Sequence, residues 1–226
     1  MFDAQAYMIQ FTAAMQQAFG KRLIYVGLQG SYLRGEATEE SDIDPMTVID
    51  GLAPADLDLY RSVIQTLPQP EKSCGFFCGR EVLLNWNRLE LCHLLHSTKD
   101  IFGSLRELLP PFTREDAAQF ISLGLGNLYH ELCHRYVHGS REKNEAKLPG
   151  TYRSVFFLLQ DLHFLRTGYF PNTKAELLPL LHGDDRAVLE TAMALKHGGE
   201  YDFDSAFALI FRWCGETMKT GKEMDL

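Results

Sequence analysis

Residues 30–44, GSYLRGEATEESDID, place a Gly-Ser turn and, eleven residues after the serine, an Asp-Ile-Asp run whose acids are Asp42 and Asp44. Gly30 has no Cβ, so the backbone there can turn and approach a ligand closely. Ser31 offers a hydroxyl and a backbone N–H. A helical turn starting at that point would leave free N–H groups, which favour an anion such as a triphosphate. Residues two apart on a strand share a face, so Asp42 and Asp44 are expected side by side while Ile43 points into the core. Two carboxylates on one face suit Mg2+, a hard cation that takes oxygen ligands and shares them with substrate phosphates. Asp42 and Asp44 are therefore candidate metal ligands, and Gly30 and Ser31 a candidate phosphate cradle. Arg34 could neutralise phosphate or serve as a surface ion-pair partner. A Gly-Ser or an Asp-x-Asp alone reads as a turn or a solvated strand end. Specificity comes from the order: apolar strand, Gly-Ser, an Arg-Gly spacer, then the acid pair.

Outward from this stretch, residues 23–28 (LIYVGL) form a short apolar run that predicts a buried strand, and residues 42–49 predict a second. Residues 3–19 predict a helix with Phe2, Ala6, Ile9, Ala13 and Ala14 on one side and Gly20 at its end. Residues 56–67 predict another, stopped by Pro68-Gln69-Pro70. Over residues 73–110 the apolar runs are too short for periodicity to separate strand from helix. Pro110-Pro111 marks a boundary. Beyond it the pattern turns helical. Thr113 and Asp116 have capping-box spacing for a helix running to His138. Residues 139–149 read as an exposed charged loop, carrying Glu142, Lys143 and Glu145. Residues 151–167 read as an apolar helix closed by Gly168, with Phe156, Leu159, Leu162 and Leu165 in the core. Shorter helices follow at 173–181, 185–196 and 204–219. Trp86 and Trp213 read as packing anchors. The expected class is α+β: residues 1–110 a small α/β domain with a mixed sheet, residues 111–226 an all-helical domain. Strand and helix do not alternate to the end, as a doubly wound sheet would require.

With 226 residues, 46% hydrophobic and 23% charged, the composition is that of a globular chain able to bury a core. A net charge of -8 argues against a nucleic-acid partner, whose phosphates need clustered Lys and Arg. It leaves room for a small anion held through a metal. No apolar run approaches the roughly 20 residues that span a bilayer. The N-terminal stretch carries Asp3 and several glutamines and reads as an amphipathic helix rather than an export signal. Five cysteines without a regular framework point to reduced thiols and a cytoplasmic setting. Cys74 and Cys78 have a spacing that could open a zinc site, but no second pair follows, so they read as small buried thiols.

Residues 26–49 resemble the signature of the polymerase-β-like nucleotidyltransferase superfamily: a hydrophobic residue, Gly-Ser, roughly ten residues, then Asp-hydrophobic-Asp. The likeness covers roughly a tenth of the chain. The later stretch 75–105 and the helical half also look like bacterial nucleotidyltransferase-domain proteins. The resemblance implies that Gly30 and Ser31 hold a nucleotide's phosphates and that Asp42 and Asp44 bind the catalytic Mg2+. It implies an NTP substrate, ATP first among them, and an acceptor hydroxyl on a small molecule or protein that attacks the α-phosphate. The helical half resembles the acceptor wall of antibiotic-modifying nucleotidyltransferases. Two features depart from the pattern. Pro45 follows the acid pair, where an ordinary strand hydrophobe is usual. The superfamily's third carboxylate, on a later strand, has no clear counterpart; Glu90, set among alternating apolar residues, is the first candidate, with Glu81 and Asp100 behind it. Both departures leave a second implied function: a catalytically weak nucleotide-binding or antitoxin-like regulatory module. The Arg-x(4–6)-His pattern of helical ribonuclease partners is absent.

A competing motif lies at His130-Glu131-Leu132-Cys133-His134, which fits H-E-x-x-H. On a helix the two histidines would share a face and Glu131 could act as a general base, the arrangement of a zinc hydrolase. His138 continues that face. Val137 stands where the longer zincin form has Gly. The plainer reading is a helix face of three histidines, able to contact an anion.

Overall fold

A computed structural model of the chain describes residues 2–196 and 201–221. They divide into two compact units, Met1–Pro111 and Phe112–Leu226.

In the first unit, α1 (Ala4–Phe19) is capped by Asp3, whose carboxylate accepts the Ala6 N–H at 2.9 Å. Its buried residues are Tyr7, Met8, Phe11, Met15 and Phe19. The apolar side expected through Ile9 and Ala13 faces water instead, with Ile9 62% exposed. The larger side chains one position away bury more apolar area, and that decides which face turns inward. Next come β1 (Leu23–Gln29), α2 (Gly30–Arg34), β2 (Asp44–Ile49) and α3 (Pro54–Gln65). Helix α3 begins with proline at its first turn, and Asp56 accepts the Ala53 N–H at 2.8 Å and an ion pair from Arg22.

The ambiguous region resolves into β3 (Phe77–Gly79), α4 (Arg80–Leu84), α5 (Arg88–His96), β4 (Lys99–Phe102) and α6 (Leu105–Leu108). The four strands form one mixed sheet in the order β3-β2-β1-β4. Strand β1 runs antiparallel to β2 and to β4, while β2 and β3 are parallel. Helices α1 and α3 cover one face, with Val26, Leu28, Ile43 and Ile49 in the shared core.

Proline 45 thus lies on an inner strand, not an edge. The β3-side hydrogen bonds flank it: Cys74 N–H to Ile43 O at 2.9 Å before, Thr47 N–H to Phe76 O at 2.8 Å after. The missing donor falls in the gap. Gly75 allows close approach there, since a Cβ on it would stand 1.9 Å from the Pro45 carbonyl oxygen.

The second unit is helical: α7 (Arg114–His138), α8 (Arg141–Thr167), α9 (Lys174–Leu177), α10 (Gly183–Lys196) and α11 (Phe203–Gly221). Thr113 and Asp116 form the expected capping box. Trp213 is buried and donates its indole N–H to Asp185 at 2.7 Å. The exposed loop expected over 139–149 is instead the start of α8, which runs through Pro149. A proline inside a helix leaves the carbonyl four residues earlier without its donor. Here that carbonyl, Glu145 O, accepts the Tyr201 hydroxyl at 2.5 Å. Arg141 pairs with Glu145 and Asp204 and fastens the first turn. Charge and a proline read locally as loop; partners distant in sequence hold them in helix.

Candidate functional site

Strand β1 ends at Gln29, and the chain turns at once into α2. Tyr32 and Leu33 pack onto the core beneath α1 and α3. Ser31 and Arg34, three apart, therefore share the opposite side of the turn. Gly30 has φ +72°, a backbone conformation that side chains rarely adopt. A Cβ on Gly30 would stand 1.8 Å from Asp44 Oδ2. The carboxylate occupies the space that any other residue's side chain would need. Register gives the same juxtaposition, because Gln29 pairs with Asp44.

Ile43 is fully buried and bridges Ser73. Burying such a side chain stabilises by about 1.5–3 kcal/mol, which fixes the alternation around it. Asp44, two residues from Asp42 across that buried isoleucine, opens β2. Asp42 itself precedes the strand, so the expected strand over 42–49 is shorter by two residues at its start. The intervening loop is tied down. Glu36 N–H donates to Ser31 O at 2.9 Å, the Thr38 N–H donates to Ser41 Oγ at 2.9 Å, and Lys72 Nζ donates to Glu39 O and Ser41 O.

Asp42 is exposed and Asp44 half-buried. Burial raises the Asp44 carboxyl above the usual carboxylate range, the Asp42 charge raises it further, and Arg34 opposes both. Two like charges sharing a site in this way disfavour ionisation of one of them. A cation between them reverses the penalty. Arg34 itself pairs with Glu36 at 3.2 Å, so both of its expected roles have a basis. Among the described residues no group of three or more His, Cys, Asp and Glu side chains could hold a metal ion. Mg2+ does not require one: it binds through one or two carboxylates and completes its shell with water and substrate phosphates. The donor chemistry of Asp42 and Asp44 fits that ion.

The three acids considered for a third carboxylate fall in different places. Glu90 lies on helix α5, exposed, and accepts the Trp86 indole N–H at 2.8 Å; the segment that the sequence left open between strand and helix is helical. Its alternating apolar neighbours belong to a nine-residue helix. Glu81 is on helix α4. Asp100 alone is on the sheet, in β4. It pairs with Gly27, which puts it on the face of Tyr25, Gln29 and Asp44. Its Oδ1 accepts the Tyr25 hydroxyl at 2.6 Å and the Leu105 N–H at 3.3 Å. Burial and this hydrogen bond raise the Tyr25 phenol, so it stays a donor. Beside them Gln29 Nε2 donates to Thr98 Oγ1 at 2.8 Å. Tyr25, Gln29 and Thr98 carry no motif, and only strand pairing gathers them. On the other flank, Ser73 bridges Ile43 and β3 pairs with Thr47 to Ile49, and residues 73–79 carry no acid.

The competing motif lies on α7. The His130 and His134 rings are 5.9 Å apart and those of His134 and His138 4.9 Å. Glu131 is engaged in an ion pair with Arg135. Among the described residues no third ligand makes this a metal cluster.

No family model matches the chain, and no curated protein matches its sequence significantly. Among solved structures it is similar to the spectinomycin adenyltransferase AAD(9) from Enterococcus faecialis, determined with ATP and spectinomycin. The TM-score is 0.62 at 12% identity, over 96% of this chain and 100% of that one. The likeness is one of fold: a mixed four-stranded sheet with its helices, followed by a helical region, the α+β architecture of a nucleotidyltransferase. No helix among the described residues is long and apolar enough to cross a membrane.

Proposed function

We propose that this chain is a Mg2+-dependent nucleotidyltransferase that moves a nucleoside monophosphate from an NTP, ATP first among candidates, to a hydroxyl of a small-molecule or protein acceptor. One observation carries the reading: the Asp44 carboxylate sits in the space left by the missing side chain of Gly30, beside the charge of Asp42. Metal ligands and phosphate cradle are thereby adjacent. The fold shared with an adenyltransferase solved with ATP supports it, and that protein's spectinomycin favours a small-molecule acceptor.

In this reading Asp42 and Asp44 hold Mg2+, which when bound neutralises phosphate charge and polarises the phosphoryl oxygens. Gly30 lets the backbone approach the phosphates, and Ser31 donates to them. Arg34 adds positive charge at the rim. The acceptor oxygen forms a bond to the α-phosphorus, the bond to the pyrophosphate oxygen breaks, and the hydroxyl proton leaves to a carboxylate or water. Asp100 replaces Glu90 as the proposed third carboxylate, because it shares the sheet face with Asp44. The test is pyrophosphate release from NTP and Mg2+ with candidate acceptors. Turnover should be lost in Asp42→Asn and Asp44→Asn while the circular dichroism spectrum is kept. Turnover unchanged in both would overturn the assignment.

A second reading, a nucleotide-binding regulatory module without transfer, is favoured by the lack of any acid in residues 73–79, the stretch that runs beside β2. It predicts saturable Mg2+-NTP binding, abolished in Asp44→Asn, with no pyrophosphate released for any acceptor. The Asp100→Asn variant separates the two: it slows transfer only if transfer occurs.

A further inference from the structure

We infer that the groove between α7 and α8 is a second binding site, for a small molecule bearing phosphate groups. It lies within the helical unit and does not rest on the function proposed for the sheet. Glu131, Arg135, Lys147, Gly150, Thr151 and Arg153 are among its lining residues, and its volume is about 560 Å³. That is the size of a small-molecule site, typically about 300–1,000 Å³.

Three cations face one carboxylate there, on a chain whose net charge is -8. Arg135 is held in place: it pairs with Glu131, donates to Thr151 Oγ1 at 2.8 Å, and its carbonyl accepts the Asn144 side-chain N–H at 2.8 Å. Lys147 and Arg153 are exposed and have no ion-pair partner among the described residues, so both are available to a ligand in the groove. Two unpaired cations beside a fixed guanidinium call for a ligand that concentrates several negative charges. A phosphate does so on a single centre and accepts Arg and Lys donors in charge-assisted hydrogen bonds. The acidic remainder of the chain repels a long polyanion, so a compact one is selected.

Pro149 and Gly150 also line the groove. Pro149 and Gly150 follow one another in α8, and Tyr201 supplies the donor that Pro149 cannot. A Cβ on Gly150 would meet nothing within 4 Å. This permits a variant that fills the groove without touching its charges. Replacing an interior helical glycine also gains helix propensity, so Gly150→Leu should fold at least as well as the parent.

The probe is inorganic pyrophosphate, titrated without Mg2+ and followed by calorimetry. Saturable binding is expected, weakening with added salt. The double variant Lys147→Glu/Arg153→Glu should weaken it by about tenfold or more, the scale of losing one to two charge contacts. Gly150→Leu should weaken it similarly while its melting temperature holds or rises. Arg114→Glu, a charge reversal at an exposed position of α7 outside the groove, should bind as the parent does. Absence of saturable binding overturns the proposal, and so does binding that both groove variants leave unchanged.

Discussion

Two short runs in this chain have the spacing of metal ligands, and the fold treats them oppositely. Asp42-Ile43-Asp44 is anchored by a fully buried isoleucine, and Asp44 is pressed against a left-handed glycine. His130-Glu131-Leu132-Cys133-His134 lies on α7, with both histidines exposed and its glutamate engaged by Arg135. Spacing along a helix or strand only makes convergence possible. A site needs a second element that crowds the ligands, removes some of their water and makes an ion the cheapest way to hold their charges together. The aspartates have that element in the β1–α2 turn; among the described residues the histidines have none.

The largest effect should come from breaking the first run and sparing the second. Asp44→Asn is expected to lower nucleotidyl transfer by about 10³-fold, on the scale of removing a preorganised electrostatic element. His134→Ala and Glu131→Gln should leave it within about twofold, as for substitutions outside the site. Kinetics that reversed this order, or stoichiometric zinc lost in His134→Ala, would turn the comparison around.

Gly30 provides the next effect. Gly30→Ala places a Cβ in a left-handed conformation, which costs about 1–2 kcal/mol, before any displacement of Asp44. A lower melting temperature together with weakened Mg2+ binding is expected. A variant equally stable and equally active would show that the carboxylate does not depend on the missing side chain.

The smallest effect is electrostatic. The Asp44 carboxyl titrates above its unfolded value, chiefly through burial and then through Asp42. Without metal, its contribution to stability is present below the unfolded pKa and is lost as pH rises through the folded one. Mg2+ binds the ionised form, so the rise in melting temperature on adding Mg2+ should grow as pH increases through that window. Asp44→Asn should flatten this dependence. A Mg2+ effect with the same pH slope in both proteins would place the ion elsewhere.

Much of the first unit was legible in the sequence because its signals are local. An apolar run predicts β1, Gly20 ends α1, and Gly-Ser followed by Asp-Ile-Asp marks the candidate site. What was not legible also has local causes. The apolar residues around Glu90 suit strand and helix alike, and the segment is helix α5. Pro149 and its charged neighbours suit a loop, but Tyr201 and Asp204 hold them in α8. Tyr25, Gln29, Thr98 and Asp100 have no motif at all.

By itself, then, the sequence determined the residue types and spacings: a glycine able to take φ +72°, two acids around an isoleucine, and a change from mixed to helical patterning near Pro110. Tertiary structure alone decided which charges meet. Strand pairing brought Gln29 to Asp44 and Gly27 to Asp100, and helix packing placed Lys147 and Arg153 in one groove with Arg135. The physical reason is range. Propensity, capping and turn geometry act over a few residues, whereas desolvation and Coulomb forces depend on neighbours that only the folded chain brings within reach.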